Sequence, residues 1–144
     1  MLVESAQMLF TAVRSHGFDG DGYKSAYKHH PMTKWVAQSY RHAEWLLEHA
    51  TELAKEFEYR YEHEHKTKDR LPTLRLAIPR HIPESKWCNP PRCMPDLYKI
   101  EYDSWAGDVP CHVQSYRDYY IAEKHMCHKY TRRSPPMWLN EVIV

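Results

Sequence analysis

The segment YKSAYKHHPMTKW, residues 23–35, interleaves Lys24, Lys28 and Lys34 with three aromatic rings. Cations neutralise phosphate groups and aromatic rings stack on bases, so this combination is typical of nucleic-acid-binding surfaces. Pattern alone favours the simpler alternative, in which the tyrosines are core residues and the lysines ordinary surface. The net charge of +1 is also low for a nucleic-acid-binding protein. Any such contact must therefore come from a local basic patch.

The C-terminal third repeats this mixture of charge and aromatic rings. Arg117 lies among the tyrosines of SYRDYY, and RRSPPMW places Arg132 and Arg133 close to Trp138. Nucleic-acid binding is predicted here too, and the alternative is again that the aromatic residues belong to the core and the cations to an ordinary surface.

Histidine and cysteine residues raise two further possibilities. His63 and His65 lie in EHEHK, and His125, Cys127 and His128 lie close together near residue 126. Neither spacing matches a standard zinc pattern, so we expect a solvated histidine-rich surface, with no metal and no cofactor. The four cysteines have no regular spacing, and free cysteine more often acts as a small buried hydrophobe than as a nucleophile.

The elements that would position these residues are mainly helical. An apolar stripe predicts a first helix over residues 2–15, with Glu4 and Arg14 away from the stripe. A second stripe, in steps of four and three from Val36 to Tyr61 and including Leu47, predicts one unbroken helix from about Met32. The stretch LRLAI, residues 74–78, predicts a short strand. A last helix is predicted from Asp108 as N-cap to about Tyr130.

Six of the ten prolines fall between Thr67 and Gly107, and this stretch is expected to wrap over the helices. A chain of 144 residues predicts one domain. The predicted fold is therefore all-α: a single compact domain, 1–144, of about three main helices with a long proline-rich wrapping segment. The longest uncharged apolar run is far shorter than the roughly 20 residues of a membrane span, so no membrane contact and a cytoplasmic location are expected.

Several motifs carry a resemblance to known proteins. HHPMTKW, SYRHAEWL, EFEYRYEHEHK, MPDLYK, SYRDYYIAEK and PPMW follow in an order similar to that of small phage-encoded proteins. More distantly, the chain resembles the pyrimidine-dimer DNA glycosylases, the endonuclease V type of T-even phages. In that family too an early helix carries a catalytic glutamate, and a long central helix follows a His-Pro or similar element.

The resemblance implies a site and an activity. VESAQML would place Glu4 at the catalytic glutamate, while IAEK, with Lys124, and RRSPPMW would form the last helix and the DNA-contacting tail. An amine would attack the sugar C1′, a carboxylate would stabilise the developing charge, and the target base would be extruded from duplex DNA. A lysine close to the His29-His30 element, Lys24 or Lys28, is the candidate replacement for the amine, and Lys28 is taken with His30 into the catalytic set. On this resemblance, the protein would act in the cytoplasm of a host cell infected by a phage.

The chain also departs from the family. Only three residues precede Glu4, and Val3 and Gln7 occupy the positions of the family's flanking arginines. In the family the nucleophile is the amine of the mature N-terminus, about twenty residues ahead of the glutamate. Here either an N-terminal segment is missing, or the amine of Met1 occupies a different place, or the chemistry is lost. The alternative is a non-catalytic phage module that binds nucleic acid or a host protein.

The predicted site residues fall into two sets. The catalytic set is Glu4, His30 and Lys28. The nucleic-acid-binding set is Arg14, Lys24, Lys34, Arg117, Lys124, Arg132, Arg133 and Trp138.

Overall fold

The computed structural model describes residues 1–101, 105–106 and 109–140. Chain length predicts one domain; the contacts within the chain group into two compact units, Met1–Cys88 and Asn89–Val144, and each is described by itself. The described chain is mostly helical, in agreement with the predicted all-α class. None of the helices among these residues is long and apolar enough to cross a membrane.

The N-terminal unit is built from four α-helices. They are α1 (Leu2–Ser15), α2 (Pro31–Gln38), α3 (Tyr40–Tyr61) and α4 (Leu71–His81), with a short 3₁₀ helix at Lys66–Arg70 leading into α4. The bounds of α1 agree with the prediction. Most of its apolar stripe, including Leu9, Phe10 and Val13, is buried in the core, whereas Val3, predicted to be part of the stripe, is 37% exposed.

The predicted unbroken helix from Met32 to Tyr61 is wrong, because the chain breaks at Ser39. The backbone of Ser39 is extended, with φ −152° and ψ 139°, so this residue ends α2 and also caps α3. Its Oγ accepts a hydrogen bond from the Arg41 N–H at 3.2 Å, and the Tyr40 N–H donates to the Pro83 carbonyl at 2.9 Å. The break is therefore held by backbone groups from a distant segment.

The apolar stripe of α3 is buried as expected over most of its length. Ala43, Leu47, Ala50 and Ala54 lie in the core, whereas Tyr61 in the last turn is about half exposed. The helix ends at Glu62, whose left-handed backbone (φ 57°) turns the chain away.

The predicted strand at residues 74–78 is also wrong, since this stretch forms the middle of α4. Leu71, Leu74 and Ile78 are buried at helical spacing, which a five-residue window does not reveal. Pro72 lies in the first turn, where its missing N–H costs nothing, and Pro79 lies in the last turn.

The second unit contains shorter elements. They are a 3₁₀ helix at Asp96–Tyr98, an antiparallel pair of strands β1 (Trp105–Ala106) and β2 (Val109–Pro110), helix α5 (Cys111–Glu123), a 3₁₀ helix at His125–Cys127 and helix α6 (Met137–Asn140). The last long helix thus ends at Glu123 and not near Tyr130, and Pro110 is its N-cap. Asp108, the predicted cap, lies outside the described residues.

Truncation of Leu47 tests the assignment of the core. Leu47 is 2% exposed on α3, so Leu47→Ala should lower the free energy of unfolding by about 2–5 kcal/mol through lost burial and the cavity left behind. Denaturant unfolding would measure it. Leu76→Ala on α4 is the matched control: Leu76 is 61% exposed, and its loss should cost less than about 0.5 kcal/mol. Equal effects of the two substitutions would contradict the assignment.

Candidate nucleic-acid interface

A cleft of about 320 Å³ lies in the N-terminal unit, between the second half of α1, the loop that precedes α2, and α2 itself. Its lining residues are Thr11, Arg14, Ser15, Ser25, Lys28, Thr33, Lys34 and Ala37. They supply three cations and four hydroxyl groups, and no carboxylate is among them. The cleft is therefore positively charged and rich in hydrogen-bond donors.

The loop wall of the cleft is tied to α1 by two side chains. The Thr11 Oγ1 accepts from the Ala26 N–H at 2.8 Å, and Arg14 donates to the carbonyls of Tyr23 at 2.8 Å and Gly20 at 3.0 Å. These contacts are to backbone carbonyls, and among the residues that the structure describes Arg14 forms no ion pair with a carboxylate.

Packing around Phe10 also requires a glycine in this loop. Gly22 has a φ of 146°, and a Cβ at this position would overlap the Phe10 ring. The guanidinium of Arg14 lies over the same ring, 5.9 Å from its centroid. Loop and helix are thus closely fitted, which gives the cleft a fixed wall.

The other wall is the first half of α2. His30 caps this helix, because its Nδ1 accepts from the Met32 N–H at 3.1 Å, and Pro31 occupies the first turn. Lys28 and Lys34 are exposed, and in the part of the chain that the structure describes neither forms an ion pair. Their ammonium groups are available to a ligand.

The structure brings together three of the residues singled out from the sequence, Arg14, Lys28 and Lys34. Lys24 is exposed in the same loop but is not part of the cleft lining. His30 serves as the helix cap, so its Nδ1 already has a structural partner.

Glu4 lies elsewhere on α1. Its carboxylate forms an ion pair with the α-ammonium group of Met1, and this contact lowers the pKa of Glu4 from its usual value. Glu4 precedes Thr11 by seven residues, a rise of about 10 Å along the helix, and it is not among the cleft residues. The predicted catalytic set is therefore divided: Lys28 lines the cleft, and Glu4 pairs with Met1.

In the second unit the predicted aromatic and basic residues contact one another. The Arg117 guanidinium lies over the Trp138 ring at 5.3 Å from its centroid, and the Lys124 ammonium lies 5.2 Å from the centroid of Tyr119. Arg132 and Arg133 are exposed in the segment between α5 and α6. Paired cations and rings of this kind can stack on bases.

Tyr116, in contrast, has a structural role in this unit. Burial raises the pKa of Tyr116 to about 12, so its phenol stays protonated near neutral pH. The hydroxyl accepts from the Cys93 N–H at 3.0 Å and donates to the Pro91 carbonyl at 3.2 Å. It therefore fixes the chain before α5.

The histidine pairs considered as metal ligands have other contacts. His63 Nδ1 bonds the Tyr61 carbonyl at 2.9 Å, and His65 Nδ1 caps the following 3₁₀ helix by accepting from the Thr67 N–H. The rings of His125 and His128 lie 5.5 Å apart. Among the described residues, no group of three or more histidine, cysteine or acidic side chains is placed to hold a metal ion.

Sequence reasoning missed the hydroxyl groups of the cleft, which are those of Thr11, Ser15, Ser25 and Thr33. A usable signal was present: residues 22–43 contain four lysine or arginine residues and no aspartate or glutamate. In a chain of nearly balanced charge, such a run marks a surface that is left positive.

No family model, no curated protein and no solved structure matches this chain.

Proposed function

We propose that this protein binds nucleic acid, and that the cleft of the N-terminal unit contacts its phosphate groups. The composition of the cleft lining carries the proposal. Half or more of the hydrogen bonds from proteins to DNA go to phosphate and sugar, and arginine, lysine, serine and threonine are among their main donors. All but one of the lining residues belong to these four types. The hydroxyls of Thr11 and Ser15 already donate to carbonyls of α1, so the proposal depends mainly on the charges of the three cations and on Thr33.

The overall charge is compatible with a local interface. The net charge is only +1, but ion pairs elsewhere in the N-terminal unit neutralise other cations, including Arg41, Lys68 and Arg75. Lys28 and Lys34 line one cleft and form no ion pair within the described part of the chain. A polyanion is therefore attracted to this face without a strongly basic protein.

The second unit supports the proposal by a different chemistry. Trp138 is half-buried beneath Arg117, and Lys124 covers Tyr119. Rings paired with cations provide stacking surfaces for bases, so this unit would contribute contacts that do not depend on phosphate alone.

DNA glycosylase and lyase activity is the second candidate function. One observation favours it: the Met1 amine and the Glu4 carboxylate are in direct contact. In such chemistry the amine, after losing its proton, attacks C1′ as the N-glycosidic bond to the base breaks and the base leaves. The sugar ring then opens at O4′ to give an imine, and a neighbouring carboxylate moves protons and stabilises the positive charge. Damaged or modified duplex DNA in the cytoplasm of an infected cell would be the substrate.

Removal of a cleft lysine should weaken binding and reduce its dependence on salt. Lys28→Ala and Lys34→Ala should each lower the slope of log affinity against log salt concentration by about 1, because one phosphate contact is lost. Fluorescence anisotropy on a duplex at several salt concentrations would measure this. Lys86→Ala, an exposed lysine of the same unit outside the cleft, is the matched control and should leave the slope unchanged. The same slope in all four proteins would refute the proposed interface.

Borohydride trapping tests the enzymatic candidate. With abasic duplex DNA the wild type should form a covalent adduct, and Glu4→Gln should form much less, because the carboxylate beside the amine is lost. Blocking the α-amine should abolish trapping if Met1 is the nucleophile, whereas Lys28→Ala should abolish it if the lysine attacks. A folded wild-type protein that gives no adduct and no strand cleavage would eliminate this candidate and leave binding untouched.

A further inference from the structure

Thr33 is a buried polar residue of the cleft with an unsatisfied side chain. It is 3% exposed, and within the described chain its Oγ1 has no hydrogen-bond partner. Buried hydroxyl groups nearly always have a partner, and leaving one without a bond lowers stability. Thr33 lies in the first turn of α2, and it lines the cleft together with Lys28 and Lys34. A ligand in the cleft would supply the missing partner.

The charge around Thr33 indicates what kind of ligand this is. Three cations line the cleft without a carboxylate, whereas one phosphodiester carries a single negative charge. A phosphate monoester carries about −1.5 to −2 near neutral pH and offers three strong acceptor oxygens. The first turn of α2 adds the positive end of the helix dipole. Charge and donors together fit a monoester better than a diester.

We propose that the cleft binds the terminal phosphate of a nucleic-acid strand, with the Thr33 hydroxyl donating to one phosphate oxygen and Lys28 and Lys34 balancing its charge. This inference rests on the proposed nucleic-acid binding and names the group that the cleft selects. Threonine in a helix takes two side-chain rotamers, so the hydroxyl can turn toward an anion without movement of α2. A volume of about 320 Å³ is at the lower end for ligand sites, as suits one strand end.

The experiment compares one single-stranded oligonucleotide in three forms: with a 5′-phosphate, with a 3′-phosphate and with hydroxyl groups at both ends. Anisotropy would measure their affinities, and phosphorus NMR would follow inorganic phosphate as a fourth ligand. We expect one phosphorylated form to bind about tenfold more tightly than the unphosphorylated form, as one added charge-assisted hydrogen bond allows. Which end is preferred identifies the source of the phosphate.

Two substitutions at Thr33 separate the hydroxyl from its packing. Thr33→Val keeps the shape and should lose the preference for the terminal phosphate, whereas Thr33→Ser keeps the hydroxyl and should retain the preference. Thr33→Val should also unfold at the same or a higher temperature, because a buried unpaired hydroxyl has been removed. Weaker phosphate binding in a protein of unreduced stability is a result that a merely structural role of Thr33 does not produce.

The outcomes distinguish the two proposals. Equal affinity for all three oligonucleotides would overturn the terminal-phosphate inference and leave nucleic-acid binding intact. A phosphorus NMR response to inorganic phosphate without binding of any oligonucleotide would overturn the proposed function and support a phosphate site. An undiminished preference in Thr33→Val would overturn the role of its hydroxyl.

Discussion

The bend at Ser39, where the helix breaks between α2 and α3, is the constraint on which the N-terminal unit depends. Ser39 and His42 are fully buried polar residues at this bend, and the chain near Ser85 satisfies the first of them. The Ser39 Oγ donates to the Ser85 carbonyl at 3.2 Å, and His42 Nδ1 donates to the Trp35 carbonyl at 2.8 Å. His42 Nε2 accepts from the Cys88 N–H at 3.1 Å, so the imidazole is held as one neutral tautomer. Straightening the bend would leave these buried groups unpaired.

The cleft is a consequence of that bend. Because the extended backbone of Ser39 separates α2 from α3, α2 does not continue the line of α3. Thr33 and Lys34, in the first half of α2, line one cleft with residues of the loop that Thr11 and Arg14 bind to α1. On the buried side of α2, the Trp35 ring stacks on the imidazole of His42, with 4.2 Å between the ring centroids. This contact holds α2 against α3. A rigid arrangement of this kind can leave a hydroxyl unsatisfied and lysines unpaired, because the core holds the walls in place. The binding chemistry thus depends on packing that touches no ligand.

Sequence reasoning reached the parts of this structure that depend on local periodicity. The apolar stripe of α1 predicts its bounds, and the spacing of lysines and aromatic residues in the 23–35 segment predicts a basic patch there, of which Lys28 and Lys34 line the cleft. The break at Ser39 was not predicted, because the residue that bonds to Ser39, Ser85, lies 46 residues away in the sequence. The apolar residues on both sides of Ser39 keep a helical spacing, so the local pattern shows no break. The strand predicted at residues 74–78 failed because the apolar residues of α4 follow a helical period only over the longer window from Leu71. The hydroxyl groups of the cleft were not predicted, because serine and threonine carry no charge and do not contribute to the apolar spacing that marks helices.

An NMR titration tests the central claim that the cleft is the nucleic-acid interface. Backbone amide shifts of the ¹⁵N-labelled protein would be followed while a short duplex is added at low salt. We expect the largest changes in the N-terminal unit at residues 11–15 and 25–37, which line or flank the cleft. Changes confined to the face of α3 and α4, with the cleft amides unmoved at saturating duplex, would contradict it.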